Sequence, residues 1–328
     1  MANLKTTYLG IELKNPLVVA ASSISSYIDR VKMAEDAGAG ALVIRSLFEE
    51  QIQIDAERLD EMLTMGEGRY AESINYFPKV EHGGTKEHLM WVEKTRKAVS
   101  MPLFASLNAI SPGAWTQYAR QLADTGVDGL EVNFYSVPTD LEKSGSELEK
   151  TLFDVIERIR AVVSIPIAVK LSPFYTSAVN VVSELEKRGV EGVVLFNRFL
   201  QPDIDPDTET LVNEMVLSSN IEMKVPLRWV ALLYGRTGLD LALNTGVHTG
   251  HDVVKALLAG ATVVQVASTL LRNGIPYLST MLLDLQNWME ERGYASLDEF
   301  RGNLSQQNVD DPSAFERAQY VKLLSTAQ

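Results

Sequence analysis

The sequence predicts an α/β protein folded as a single (β/α)8 barrel spanning residues 1–328, and three observations carry that expectation. Short apolar runs rich in β-branched residues alternate with amphipathic helical patterns from one end of the chain to the other. Each run is apolar on both faces, as a parallel strand covered by helices must be, and about eight occur, the number that closes a barrel. The length of 328 residues, with no shift of composition along it, suits one barrel of roughly 250 residues that carries insertions. A doubly wound open sheet is the alternative reading of the same alternation.

The elements follow in order. Residues 3–15 precede the repeat and read as a short N-terminal hairpin that plugs the barrel floor. The strands are PLVVAAS (16–22), ALVIRS (41–46), PLFASLNA (102–109), GLEVNF (129–134), PIAVKLS (166–172), GVVLFN (192–197), LDLALNTG (239–246) and ATVVQVAS (261–268). WVEKTRKAV, YARQLADTG and VVSELEKRG have the spacing of amphipathic helices between strands. Gly126, Gly189 and Gly260 stand where a left-handed residue ends a helix. Thr249, three residues before Asp252, reads as the side-chain cap of a helix start. The acidic run 142–150 reads as a solvated loop and helix start with no functional role. Residues 47–81 and 198–226 are insertions after the second and sixth strands. In a barrel of the TIM type that position puts them on the catalytic face, as candidate lids and substrate walls.

Composition narrows the function. With 46% hydrophobic and 22% charged residues the chain is neither disordered nor collagen-like. Its 30 basic and 43 acidic residues leave a net charge of −13, which repels phosphate backbones and acidic membrane surfaces, so nucleic acid is not an expected partner. The absence of cysteine removes disulfides, a cysteine-ligated cluster and a thiolate nucleophile, so any electron relay belongs to a separate electron-transfer partner. No apolar run approaches the ~20 residues that span a bilayer and no basic-then-apolar leader opens the sequence, which predicts a cytoplasmic protein.

Barrel enzymes draw their reactive groups from strand ends, and here these supply Arg45, Asn108, Asn133, Lys170 and Asn197. A lysine ending a strand as apolar as PIAVKLS needs an anion or polar group to meet it, or must snorkel to the rim. Asn133 and Asn197 can each cap a turn, yet together they suit a planar, amide-bearing ligand. Gly246 at the seventh strand exit, and Ala267 and Ser268 at the eighth, lie where this fold holds phosphate with small residues and free helix amides. His248 and His251 have a spacing that two metal ligands could use, but no second cluster of ligand type accompanies them, and no metal is expected.

These segments together resemble the dihydroorotate dehydrogenase family of FMN-dependent barrels over essentially the whole chain. The resemblance rests on NPLVVAAS (15–22), GLEVNF with Asn133, VKLSP with Lys170, the strand ending at Asn197, and TGVHTGHDVVKALLAGATVVQVAST (245–269), the most specific of them. It implies an FMN-dependent oxidoreductase acting on CH–CH groups, dihydroorotate the leading substrate, and a homodimer. By the same resemblance Lys170 contacts the flavin's pyrimidine edge, Asn108 and Asn133 flank the ring system, and Asn197 touches flavin or substrate. Backbone near Ala20, Ala21, Gly246, Ala267 and Ser268 holds the tail and phosphate, and Ser136 falls on the position of the catalytic base.

The chain departs from the family pattern mainly on the substrate side. Arg45 stands where lysine is usual, and its planar fork is no conservative replacement. The loop after Asn133 reads Phe134, Tyr135, Ser136, Val137, Pro138 and lacks the family's final asparagine. SINYFPK (73–79) replaces the substrate loop, and VPLRWV (225–230) replaces a glycine-rich patch. Arg45 and Arg198 are candidates to grip a substrate carboxylate. A different substrate, a flavin-free lyase forming a Schiff base at Lys170, and a binding or regulatory barrel are the alternatives.

Overall fold

The strand-like runs become strands because each alternates its side chains between two apolar environments. The structure, a computed structural model, describes residues 2–48, 85–108, 115–134, 137–212 and 214–326. Leu17, Val19, Leu42, Leu103, Leu130, Val132, Val169, Val193, Leu243 and Val264 pack outward against the helices. Their neighbours Val18, Ala41, Val43, Phe104, Ala168, Val194, Ala242 and Val263 fill the interior. That double burial is why the runs lack the polar alternation of a half-exposed sheet.

An antiparallel hairpin, β1 (Thr6–Tyr8) and β2 (Ile11–Leu13), comes first. Then follow β3 (Leu17–Val19), α1 (Ile28–Asp36), β4 (Ala41–Phe48), α2 (Thr85–Ala98), β5 (Leu103–Asn108), α3 (Trp115–Asp124) and β6 (Gly129–Asn133). The chain continues with α4 (Gly145–Arg160), β7 (Ile167–Leu171), α5 (Ala178–Lys187), β8 (Gly192–Leu195), β9 (Asp203–Asp205), β10 (Thr210–Val212) and α6 (Lys224–Leu233). It ends with β11 (Asp240–Asn244), α7 (Gly250–Ala259), β12 (Val263–Val266), α8 (Ser268–Asn273), α9 (Tyr277–Arg292) and α10 (Ala318–Thr326). Strands β3 to β8, β11 and β12 form one closed parallel barrel in chain order, β12 returning to β3. The closed barrel, and not the open sheet, is therefore the fold.

The hairpin closes one end. Tyr8, Leu9 and Leu13 join the interior cluster, and the Leu9 amide donates to Asp240 Oδ2 at the start of β11 (2.6 Å). A Cβ on Gly192, at the start of β8, would meet the Leu9 side chain at 2.6 Å. Both contacts lie at strand starts, so the floor is sealed and the strand ends form the open mouth.

Local chemistry sets the boundaries. Gly126, Gly189 and Gly260 take the left-handed conformation expected of helix ends, with φ of +84°, +73° and +114°. A capping box between Thr249 and Asp252 starts α7, and one between Ser144 and Glu147 starts α4 on the exposed 142–150 segment. Seven of the barrel strands are shorter than their apolar runs because the flanking residues turn into loops, whereas β4 continues two residues past its run to Phe48. The insertion after β8 contains the β9–β10 hairpin, and VPLRWV lies within α6, which accounts for the missing glycine-rich patch. Most of the insertion after β4 lies outside the described residues. No helix among the described residues is long and apolar enough to cross a membrane.

Candidate active site

Strand register brings three of the expected side chains into one row across the mouth. Asn108 pairs with Asn133 between β5 and β6, and Asn133 pairs with Lys170 between β6 and β7. All three carry the inward parity shared by Phe104 and Ala168. Asn108 and Lys170 are buried and Asn133 is half-buried. Asn108 Oδ1 and Asn133 Oδ1 are buried without a hydrogen-bond partner, so the row presents two unmet acceptors.

Lys170 does not snorkel. The residue is 6% exposed, and its ammonium reaches Glu131 Oε1 at 3.4 Å. Among the described residues that is its one protein partner, so two of its three protons are free for a ligand. Glu131 Oε2 in turn accepts from Gln265 Nε2 on β12 at 2.6 Å. Sequence reading passed over Glu131 and Gln265. The available signal was charge and parity: a carboxylate two residues before Asn133, in a run otherwise apolar, is the anion that a buried lysine requires.

Arg45 lies in an irregular stretch of β4, where the register with β5 shifts between Ile44 and Leu47. Its amide donates to Ser25 Oγ (2.9 Å) and its guanidinium to Ser26 Oγ (3.2 Å), so a 3-10 turn over Ser23–Ser26 holds it from one side. Behind the strand, the Arg45 carbonyl meets His88 Nε2 of α2 at 3.1 Å, while His88 Nδ1 meets Tyr118 of α3 at 2.5 Å. Burial pushes His88 down to about 4, so the ring is neutral; its Nε2–H donates to the carbonyl and its Nδ1 accepts from the Tyr118 hydroxyl. Sequence reading assigned His88 no role.

Asn197 follows β8, its amide donating to Leu171 O at 2.8 Å. Arg198 beside it is engaged elsewhere: its Nε donates to Glu222 at 2.7 Å and its guanidinium also meets the Val216 carbonyl. These bonds tie it to the insertion rather than leave it free at the mouth. Ser136 and residues 73–79 lie outside the described residues.

At the last two strand exits the expected small residues come together. Ala20 is buried, its amide bonded to Val266 O of β12 (2.9 Å), and Ala21 beside it is half-buried. Gly246 has φ +78°, and a Cβ there would stand 2.4 Å from the Met223 amide. Glycine is thus required by close backbone approach. Ser268 opens α8, and its hydroxyl accepts the Ser218 amide at 3.1 Å. Ala267 offers no side-chain cap, so the first amides of α8 are open. Asn244 and Thr245, also unforeseen, both donate to Phe196 O, at 2.8 and 3.1 Å, and fix the turn after β8. His248 is buried at the same exits with its Nδ1 unpaired, and burial followed by the Arg272 charge lowers its pKa.

This geometry can hold a flat heterocycle whose edge offers both N–H and C=O groups, with an anionic tail directed to the β11 and β12 exits. The unmet Asn108 and Asn133 oxygens and the two free Lys170 protons match such an edge, so the residues present fit a flavin.

Comparison with known proteins identifies the family. A family model described as dihydroorotate dehydrogenase matches residues 3–289. The chain is 27% identical over 308 residues to the dihydroorotate dehydrogenase B (NAD(+)) catalytic subunit of Methanothermobacter thermautotrophicus, covering 91% of this chain and 97% of that protein. It is 25% identical to the protein of the same name from Thermoplasma volcanium, covering 92% and 98%. It is also 23% identical to the chloroplastic dihydropyrimidine dehydrogenase (NADP(+)) of Arabidopsis thaliana, covering 92% of this chain and 76% of that protein. The chain belongs to the dihydroorotate dehydrogenase family, and it is an oxidoreductase of the kind that acts on CH–CH groups.

Proposed function

We propose that the protein is an FMN-dependent oxidoreductase that oxidises dihydroorotate to orotate, a step of pyrimidine biosynthesis, and that residues 1–328 work as one barrel domain. The observation that carries this reading is the row Asn108, Asn133, Lys170, with its unmet acceptors and free ammonium protons. Bound FMN would supply the hydride acceptor. Lys170 would hold its fixed positive charge at the pyrimidine edge, where charge develops on reduction, without having to move at the moment of transfer. Asn108 and Asn133 would orient the ring, Asn197 would contact flavin or substrate, and Ala20, Ala21, Gly246, Ala267 and Ser268 would enclose the tail and phosphate.

Ser136 would take the proton from the carbon adjacent to the one that gives up hydride. A serine is a weak base at its free pKa and needs a relay or water to do so. Arg45, presented toward the mouth by Ser25 and Ser26, suits a carboxylate. The Glu131 carboxylate, 3.4 Å from Lys170, engages the nitrogen that Schiff-base chemistry would need free to attack a carbonyl. A second substrate reading has its own observation. Arg198, a candidate carboxylate ligand, is occupied by Glu222, which favours a dihydropyrimidine lacking the carboxylate, and one relative is a dihydropyrimidine dehydrogenase.

The relatives named as catalytic subunits support a separate electron-transfer partner. A cytoplasmic homodimer is part of the same proposal. The test is anaerobic stopped-flow reduction of the purified yellow protein with dihydroorotate and with uncharged dihydropyrimidines. Bleaching of the visible flavin band by dihydroorotate is the expected result, and bleaching by uncharged rings alone selects the second reading. A colourless protein that FMN cannot reconstitute overturns both.

A further inference from the structure

The barrel interior is filled mostly by apolar side chains, yet it holds a full ion pair, and stability does not explain this. Replacing a buried pair by apolar residues of similar volume is commonly neutral or stabilising, whereas removing one partner is costly. Glu131, Lys170 and Gln265 are 2%, 6% and 1% exposed. In register, Glu131 stands level with Ala168, one inward position below Lys170. Gln265 reaches Glu131 from β12, four strands from β6 in either direction around the eight-stranded barrel. The carboxylate therefore lies near the barrel axis, held from the far wall and directly beneath the ammonium.

We propose that Glu131 is a positioning residue: pinned by Gln265, it anchors Lys170 from below and sets how much positive field the ammonium presents at the mouth. A lysine side chain has four rotatable carbons, and a fixed anion below it reduces the positions its head can take. With one proton directed at Glu131, the other two are left to the ligand. Among the described residues, the remaining ionisable groups around the pair are Tyr8 and Asp240 at the floor and Arg45 on β4. Asp240 is occupied by the Leu9 amide and the Thr262 hydroxyl, and Arg45 by Ser26. Inward neighbours on β5 and β8 are Ser106, Asn108 and Val194, none of which can replace the carboxylate. The bearing on flavin rests on the FMN reading above, whereas the anchor itself does not.

The test combines two measurements on Glu131→Gln, Lys170→Met and the double variant, each in the full chain. In thermal unfolding each single variant should lose roughly 5–10 °C, because an uncompensated charge is left inside, and the double variant should recover most of that loss. In the FMN-loaded protein the flavin midpoint potential should rise in Glu131→Gln and fall in Lys170→Met, opposite shifts that a purely structural pair would not produce. Gln265→Leu keeps both charges and is the milder variant. Freeing the carboxylate to draw closer to the ammonium, it should lower the potential. A Glu131→Gln chain that does not fold, beside a double variant that does, is the same coupling in stronger form. Additive losses of melting temperature overturn the anchor, and coupled losses with unmoved potentials overturn its role toward flavin. A protein without flavin overturns the FMN reading alone, because the unfolding cycle still decides the anchor.

Discussion

Lys170 and Arg45 are both cations at the mouth, and their surroundings give them different work. Lys170 is buried on a carboxylate in a rigid strand, whereas Arg45 is half-buried in an irregular stretch and hydrogen-bonded to serine hydroxyls. A fixed charge suits a fixed cofactor edge, and a planar fork on an adaptable stretch suits a substrate carboxylate. Lys170→Met is therefore expected to retain FMN and slow flavin reduction by about 10²- to 10³-fold, the usual cost of one preorganised electrostatic contact. Wild-type reduction kinetics in a flavin-loaded variant would refute the assignment. Ser268→Asp, by contrast, should expel the cofactor, since a carboxylate would face the phosphate where open amides now stand. FMN content after purification reads this directly, and a full complement would move the phosphate site elsewhere.

At the scale of elements, helices α2 and α3 do more than cover the barrel. Through His88 and Tyr118 they reach the Arg45 carbonyl and hold β4 at its irregular stretch. A histidine in the unfolded chain takes up a proton near pH 6.5, and His88 in the folded protein does so only at about 4. The unfolded state thus binds more protons between those values. Stability present at neutral pH is lost as pH falls from 6.5 towards 4, by roughly 2–4 kcal/mol for this group. The urea midpoint should therefore fall further between pH 7 and pH 4.5 in the wild type than in His88→Phe. An equal acid loss in both proteins would remove His88 as the cause. Gly246 makes a second link between elements: at φ +78° and against the Met223 backbone, Gly246→Ala must displace the start of α6, and reduced flavin retention is the expected readout.

For the whole molecule, the barrel works because its two ends differ. The hairpin seals the floor through Tyr8, Leu9 and Leu13, and Asp240 holds that plug by accepting the Leu9 amide. Asp240→Ala leaves a buried N–H unmatched, a loss of about 1–3 kcal/mol, with the site at the opposite end left intact. A lower melting temperature with unchanged flavin content is expected, and flavin loss would show that floor and mouth are coupled.

The sequence by itself determined the eight strands, the hairpin, the glycine caps and the strand-end positions of Asn108, Asn133 and Lys170, because periodicity and helix-end chemistry are local properties of the chain. Shortened strand edges and the helix at VPLRWV were less legible, since loops and packing override local pattern there. Only the tertiary structure decided who meets whom. Glu131 and Gln265 are 134 residues apart and face each other only when the barrel closes. Likewise Arg198 looks available in sequence, and it is Glu222, brought back by the folded insertion, that occupies it. Pairing across a barrel depends on closure and register, and no segment of the chain encodes those alone.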